Sequence, residues 1–95
     1  MDKNDAIIFH FGSLPFTLKQ CFYVRKGGVM YDKIDCTFET LPLKMLQYAK
    51  EHQISNFLIS GNNFYAIKLK EDLLTENKNK FSISDIKITI EEIKG

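Results

Sequence analysis

The segment Ile54-Ser55-Asn56-Phe57-Leu58-Ile59-Ser60-Gly61-Asn62-Asn63-Phe64-Tyr65-Ala66-Ile67-Lys68-Leu69-Lys70 decides how the chain is read. Both of its halves are rich in aromatic and branched apolar residues, which suit a pleated, half-buried surface. Between them stand Gly61, Asn62 and Asn63. Glycine takes positive φ without a steric penalty, and Asn tolerates the left-handed region. The segment therefore reads as a β-hairpin. Its register depends on the loop, because a slip of one residue reverses every side chain. A three-residue loop with Asn63 left-handed gathers Phe57, Ile59, Tyr65, Ile67 and Leu69 on one apolar face. The opposite face carries Ile54, Asn56, Leu58, Phe64, Ala66, Lys68 and Lys70, a mixture of apolar and basic groups.

Immediately upstream, Thr40 to Gln53 predicts a helix. Leu41, Met45, Leu46 and Ala49 recur at helical spacing and form a stripe for a sheet. Thr40 suits the N-cap, and Pro42 is tolerated in a first turn that needs no intrahelical donor. The apolar hairpin face is expected to meet this stripe. Further back, Ala6 to Phe11 reads as a buried strand, with a turn over Gly12-Ser13-Leu14-Pro15. Thr17 to Arg25 and Val29 to Thr37 read as strands joined at Lys26-Gly27-Gly28. A three-residue loop there, with Gly28 left-handed, groups Phe22, Val24, Met30, Ile34 and Cys36. Asp32 is the polar exception on that side. The other side carries Cys21, Tyr23, Arg25, Val29, Tyr31, Lys33 and Asp35.

Downstream, Glu71 to Lys80 is polar and reads as a loop. Ile86, Ile88 and Ile90 alternate with polar residues, which favours a final strand over a helix. Residues 1–5 read as a flexible N-terminus. The order β-β-β-α-β-β-β predicts a single small α+β domain. Its sheet is expected to be mainly antiparallel, of about five to six strands, with one helix packed on one face.

Composition narrows the function. Ninety-five residues bound the chain to one domain. A net charge of +1, with Arg25 the only arginine, removes any global field toward nucleic acid or anionic membrane. Abundant Lys, Asn and Ile point to a low-GC bacterium, or to a phage or plasmid of one. No apolar run approaches a membrane span, and the polar N-terminus is unlike a secretory leader. The two cysteines are expected to be reduced and the protein cytoplasmic.

Reactive residues are sparse. His10, His52, Cys21 and Cys36 lack the close spacing of zinc ligands. Nothing in the sequence brings a cysteine and a histidine together as an activated nucleophile. Asp32, Asp35 and Glu39, and then Glu91 and Glu92, read as solvated charges. Ser13 lacks an elbow motif, and Gly27-Gly28 lacks the lysine of a phosphate loop. No catalytic residue, metal or cofactor is expected. The expected function is protein–protein interaction, as a homodimer or with a target. A phage- or plasmid-type regulator or inhibitor of a host enzyme or defence nuclease fits that reading. Leu58, Phe64, Lys68, Lys70, Tyr23, Arg25 and Tyr31 are the expected partner-binding residues. One alternative is a single-stranded nucleic-acid-binding module using aromatics and lysines on the sheet. Another is a small enzyme whose site forms at a dimer interface.

Overall fold

A five-stranded sheet carries two helices on one face. The computed structural model describes residues 5–11 and 19–92. In chain order the elements are β1 (Ala6–His10), β2 (Lys19–Lys26), β3 (Val29–Thr37), α1 (Leu41–His52), β4 (Asn56–Gly61), α2 (Asn63–Glu76) and β5 (Lys87–Glu92). The spatial order is β3-β2-β1-β4-β5. The fold is α+β, as expected. The sheet, however, is mixed: β1 pairs antiparallel with β2, β2 with β3, while β1–β4 and β4–β5 are parallel. Parallel neighbours require crossovers, and α1 and α2 supply them. The expected turn at Gly12–Pro15 and the start of the second strand at Thr17 lie outside the described residues.

The first hairpin closes more tightly than expected. Lys26 pairs with Val29, so only Gly27 and Gly28 form the loop, with φ of 64° and 81°. Two positive φ values are those of a type I′ turn, whose twist matches that of the flanking strands. A register shift between Val24 and Arg25 restores the alternation. Phe22, Val24, Ile34 and Cys36 are all buried under the helices, while Met30 is exposed instead of joining them.

The α1 stripe of Leu41, Met45, Leu46 and Ala49 is buried as a unit. Pro42 sits in its first turn. Thr40 occupies the N-cap position but makes no side-chain cap bond. Its hydroxyl instead accepts from the Thr37 N–H at 3.0 Å, fastening the end of β3 to the helix start.

The largest departure falls on residues 62–76. The chain leaves β4 at Gly61 and enters α2, so the hairpin reading holds only for its first arm. The Asn62 side chain accepts from the Phe64 N–H at 3.0 Å and from Tyr65 at 3.5 Å. That is an N-cap, satisfying donors that the first helical turn leaves unpaired. Ala66, Leu69 and Leu73 then recur on one helical face and are buried. The polar segment expected to be a loop is helical through Glu76 and continues as a π-type turn over Asn77–Phe81. The Asn77 amide accepts the Ile83 N–H at 2.7 Å and donates to the Ile83 carbonyl at 2.9 Å. This two-point clamp directs the chain into β5, the strand expected from the isoleucine alternation.

Phe9, Phe22 and Phe57 are fully buried and form the centre of the core with Ile7, Ile59, Met45, Leu46 and Leu73. Asp5, expected to be flexible, accepts from the Gly27 N–H at 2.9 Å and so ties the chain start to the first turn.

Candidate functional site

With both helices on one side, the alternation of each strand presents its other residues on the opposite face. Three rows cross that face. The middle row runs Lys33, Tyr23, Ile8, Leu58 and Thr89, each aligned with the next across the sheet. One flanking row contains Arg25, Ala6, Asn56 and Lys87. The other contains Asp35, Cys21, His10, Ser60 and Glu91. Among the described residues no helix or strand covers these rows. Tyr23, Ile8 and Leu58 are half-buried by their neighbours. The face is thus apolar at its middle, basic toward Arg25, Lys33 and Lys87, and acidic toward Asp35 and Glu91.

The one side-chain hydrogen bond within the third row links His10 Nδ1 to Ser60 Oγ at 2.9 Å. It joins the carboxyl ends of the parallel strands β1 and β4. Fifty residues separate the pair in sequence, and only the parallel pairing brings them together. The hairpin reading had no means of finding it. Cys21 shares the row on the neighbouring strand, so His10 and Cys21 do lie on one face. Among the described residues no three His, Cys, Asp or Glu side chains converge on a point that could hold a metal ion.

The two cysteines point to opposite faces, as the strand alternation requires, and both are free. Burial pushes the Cys36 thiol up, outweighing the opposite pull of nearby Lys44. A thiol reacts as its thiolate. Brief alkylation near neutral pH is therefore expected to modify half-buried Cys21 at least several-fold faster than Cys36. Raising the pH should increase Cys36 labelling. Mass mapping of the alkylated peptides checks this, and equal rates would contradict the burial assigned to Cys36.

The seven residues expected to bind a partner do not form one surface. Tyr23, Arg25 and Leu58 share the open face. Phe64, Lys68 and Lys70 lie on α2, in the layer on the other side of the sheet. Tyr31 belongs to neither group. Its ring meets His52 edge-on at 5.4 Å, His52 stacks on Tyr48 at 6.1 Å, and Tyr48 meets Phe22 at 5.9 Å. Lys26 lies over the Tyr31 ring at 5.9 Å. Tyr31 thereby fastens the hairpin tip to the end of α1. Ile8, Lys33 and Lys87 complete the face but were not among the seven, although strand alternation already placed Lys33 on the side of Tyr23 and Arg25. Ile8 was visible only as one apolar residue in an apolar run.

The two edges of the sheet differ. On β3 one backbone group of each of Lys33, Asp35 and Thr37 is met by a side chain. The Lys33 N–H donates to Asp32 Oδ1 at 2.8 Å, and the Asp35 carbonyl accepts from Lys44 Nζ at 3.4 Å. The Thr37 N–H donates to Thr40 Oγ1. Such local satisfaction blunts an edge against added strands. No side-chain cap of that kind meets β5 among the described residues.

No protein-family model matches the chain, and no curated protein or solved structure matches it either.

Proposed function

We propose that this protein acts without catalysis, by binding another protein through the open face of its sheet. The middle row carries the proposal: Tyr23, Ile8 and Leu58 form a continuous apolar strip between Lys33 at one end and Thr89 at the other. A row of five strands is roughly 19 Å wide at the usual strand spacing. An apolar centre with a polar rim is the usual anatomy of an interface. The Lys-, Asn- and Ile-rich composition suits an accessory regulator or inhibitor from a low-GC phage or plasmid. Its target would then be a host enzyme or defence nuclease.

Leu58→Glu is the test, because it places a charge at the centre of the strip while β4 keeps its buried Phe57 and Ile59. Immobilised wild type is expected to retain a specific protein from native-host lysate that the folded Leu58→Glu variant releases. Equal retention by both would remove the face from consideration.

A second reading has its own observation. Tyr23 stands beside Arg25 and Lys33 on this face, with Lys87 three strands away across the sheet, an aromatic next to cations of the kind that stacks and tracks single strands. Fluorescence anisotropy with labelled single-stranded DNA and RNA separates the two readings. Binding that weakens steeply with salt and fails with Tyr23→Ala would favour nucleic acid.

A further inference from the structure

We infer that a second copy of this chain pairs with the outer edge of β5. The two copies run antiparallel about a two-fold axis through Thr89 and join their sheets into one. This contact lies at the sheet edge, where the open-face rows end in Lys87, Thr89 and Glu91, and does not involve Leu58 at the centre of that face.

The backbone supplies the template. Lys87 donates its N–H inward to the Ser55 carbonyl at 2.7 Å. In a parallel pair, alternate residues direct both backbone groups to the neighbouring strand. Lys87, Thr89 and Glu91 therefore turn theirs toward β4, and Ile88 and Ile90 turn theirs outward. A two-fold through Thr89 sets Ile88 of one copy against Ile90 of the other, twice. Each such pair can exchange N–H to carbonyl bonds in both directions.

The side chains select that axis. A two-fold perpendicular to the sheet keeps each face on its own side, so the axis passes through a residue. Centred on Ile88, it would oppose Asp85 to Glu91. Centred on Ile90, it would oppose Ile88 to Glu92 and leave Lys87 without a carboxylate. Centred on Thr89, it opposes Lys87 to Glu91 twice, Ile88 to Ile90 twice, and Thr89 to itself, with position 92 opposite Ile86 just before β5 begins. Opposite charges, branched apolar pairs and Thr–Thr pairs are all favourable cross-strand neighbours. Lys87-Ile88-Thr89-Ile90-Glu91 is thus complementary to its own reverse. Lys87 and Glu91 are exposed, and Ile88 and Ile90 are only partly covered.

Helix α2 extends the same surface. Its Tyr65, Lys68, Leu69 and Asp72 line the cleft against Phe38, Leu41 and Pro42 at the start of α1. Helical spacing places Ile67 and Leu74 on the opposite flank, above β5. They remain 48% and 45% exposed. Across the proposed axis the two α2 flanks face one another, so these side chains gain a partner from the same operation that pairs the strands. The contrast with β3, where Asp32, Lys44 and Thr40 meet three of the backbone groups, points to β5 as the edge that is used.

Size-exclusion chromatography with light scattering tests the contact. At about 100 µM, where a micromolar dimer is mostly assembled, the wild type is expected at twice the chain mass of 11.0 kDa. Glu91→Lys and Lys87→Glu each oppose like charges at both positions and should weaken the dimer roughly tenfold or more. The double variant K87E/E91K restores opposite charges and should restore the dimer. An equimolar mixture of the two single variants should form a heterodimer, because each then meets its complement. Circular dichroism establishes that every variant is folded. A wild type that stays monomeric, a dimer indifferent to Glu91→Lys, or a mixture that fails to associate would each overturn the inference. Loss of the dimer would leave the Leu58→Glu result unaffected, so the two proposals fail separately.

Discussion

Gly61→Ala is expected to cost about 3 kcal/mol or more, or to prevent folding. Gly61 has φ of 107°, a region that side-chain-bearing residues rarely occupy. A Cβ there would also stand 2.7 Å from the Phe11 Cβ and 2.9 Å from the Phe11 nitrogen, and closer still to the Phe11 carbonyl oxygen. Neither backbone can retreat easily. Phe11 donates its N–H to the Ser60 carbonyl at 2.8 Å, and its ring is buried against Phe9 at a centroid distance of 4.6 Å. Strained backbone costs about 1–3 kcal/mol and overpacking about as much again. A domain of this size has only about 5–14 kcal/mol in total. Urea unfolding followed by circular dichroism measures the loss. Gly27→Ala is the control: its φ of 64° is also left-handed, but nothing lies within 4 Å of the added carbon. It should lose only about 1 kcal/mol. Similar losses in the two variants would show that the close approach to Phe11 does not matter.

The same glycine shows where sequence reasoning stopped. Gly61 looked like a turn residue because glycine permits turns, but here it is needed for the close approach of two chain segments. That need arises from residue 11, and no local pattern reveals it. The α1 stripe was legible because periodicity and a first-turn proline agreed on one face. The strands of the first hairpin were legible because burial on one side forces alternation, and Phe22, Val24, Ile34 and Cys36 satisfy it. From Asn63 onward two periods overlap. Tyr65, Ile67 and Leu69 alternate as in a strand, while Ala66, Leu69 and Leu73 repeat as in a helix. The capping Asn62 and the Lys, Leu and Glu content favoured the helix. The turn-like Gly61-Asn62-Asn63 between aromatic and branched apolar residues favoured the strand. Making residues 63–76 helical replaces a hairpin with a crossover, so β5 joins β4 parallel, while the parallel β1–β4 pair follows from the α1 crossover. It also removes Phe64, Lys68 and Lys70 from the face that holds Leu58.

The topology also explains why apolar residues appear on both sides of several strands. The helices over the sheet account for Ile7, Phe9, Phe57 and Ile59. The remainder divides between the open face, with Ile8 and Leu58, and the β5 edge, with Ile88, Ile90, Ile67 and Leu74. Two distinct surfaces thus underlie what looks in the sequence like one excess of apolar residues. The chemistry of each differs: the face offers an apolar strip flanked by charged rows, and the edge offers a backbone ladder.

Leu73→Ala is expected to cost about 3 kcal/mol, within the range for a fully buried leucine, while Leu74→Ala should change stability by less than about 0.5 kcal/mol. The two residues are adjacent, identical in chemistry and equal in helix propensity loss or gain on substitution. Leu73 is completely buried and Leu74 is 45% exposed. Removing the Leu73 side chain leaves a cavity beneath α2 that the surrounding rigid sheet cannot fill, and the cost of such a cavity adds to the lost transfer energy. Removing Leu74 leaves its site open to water. A loop over residues 71–80 would make both substitutions harmless, whereas a strand would orient the two residues to opposite faces without burying Leu73 against Ala66 and Leu69. Paired urea titrations at low protein concentration decide between these, because association is then too weak to contribute. If the proposed β5 contact forms, Leu74→Ala should also lose stability relative to wild type as protein concentration rises, while the penalty for Leu73→Ala is already present in the monomer. The side chain on one flank of α2 would then act only between copies, and its neighbour only within one.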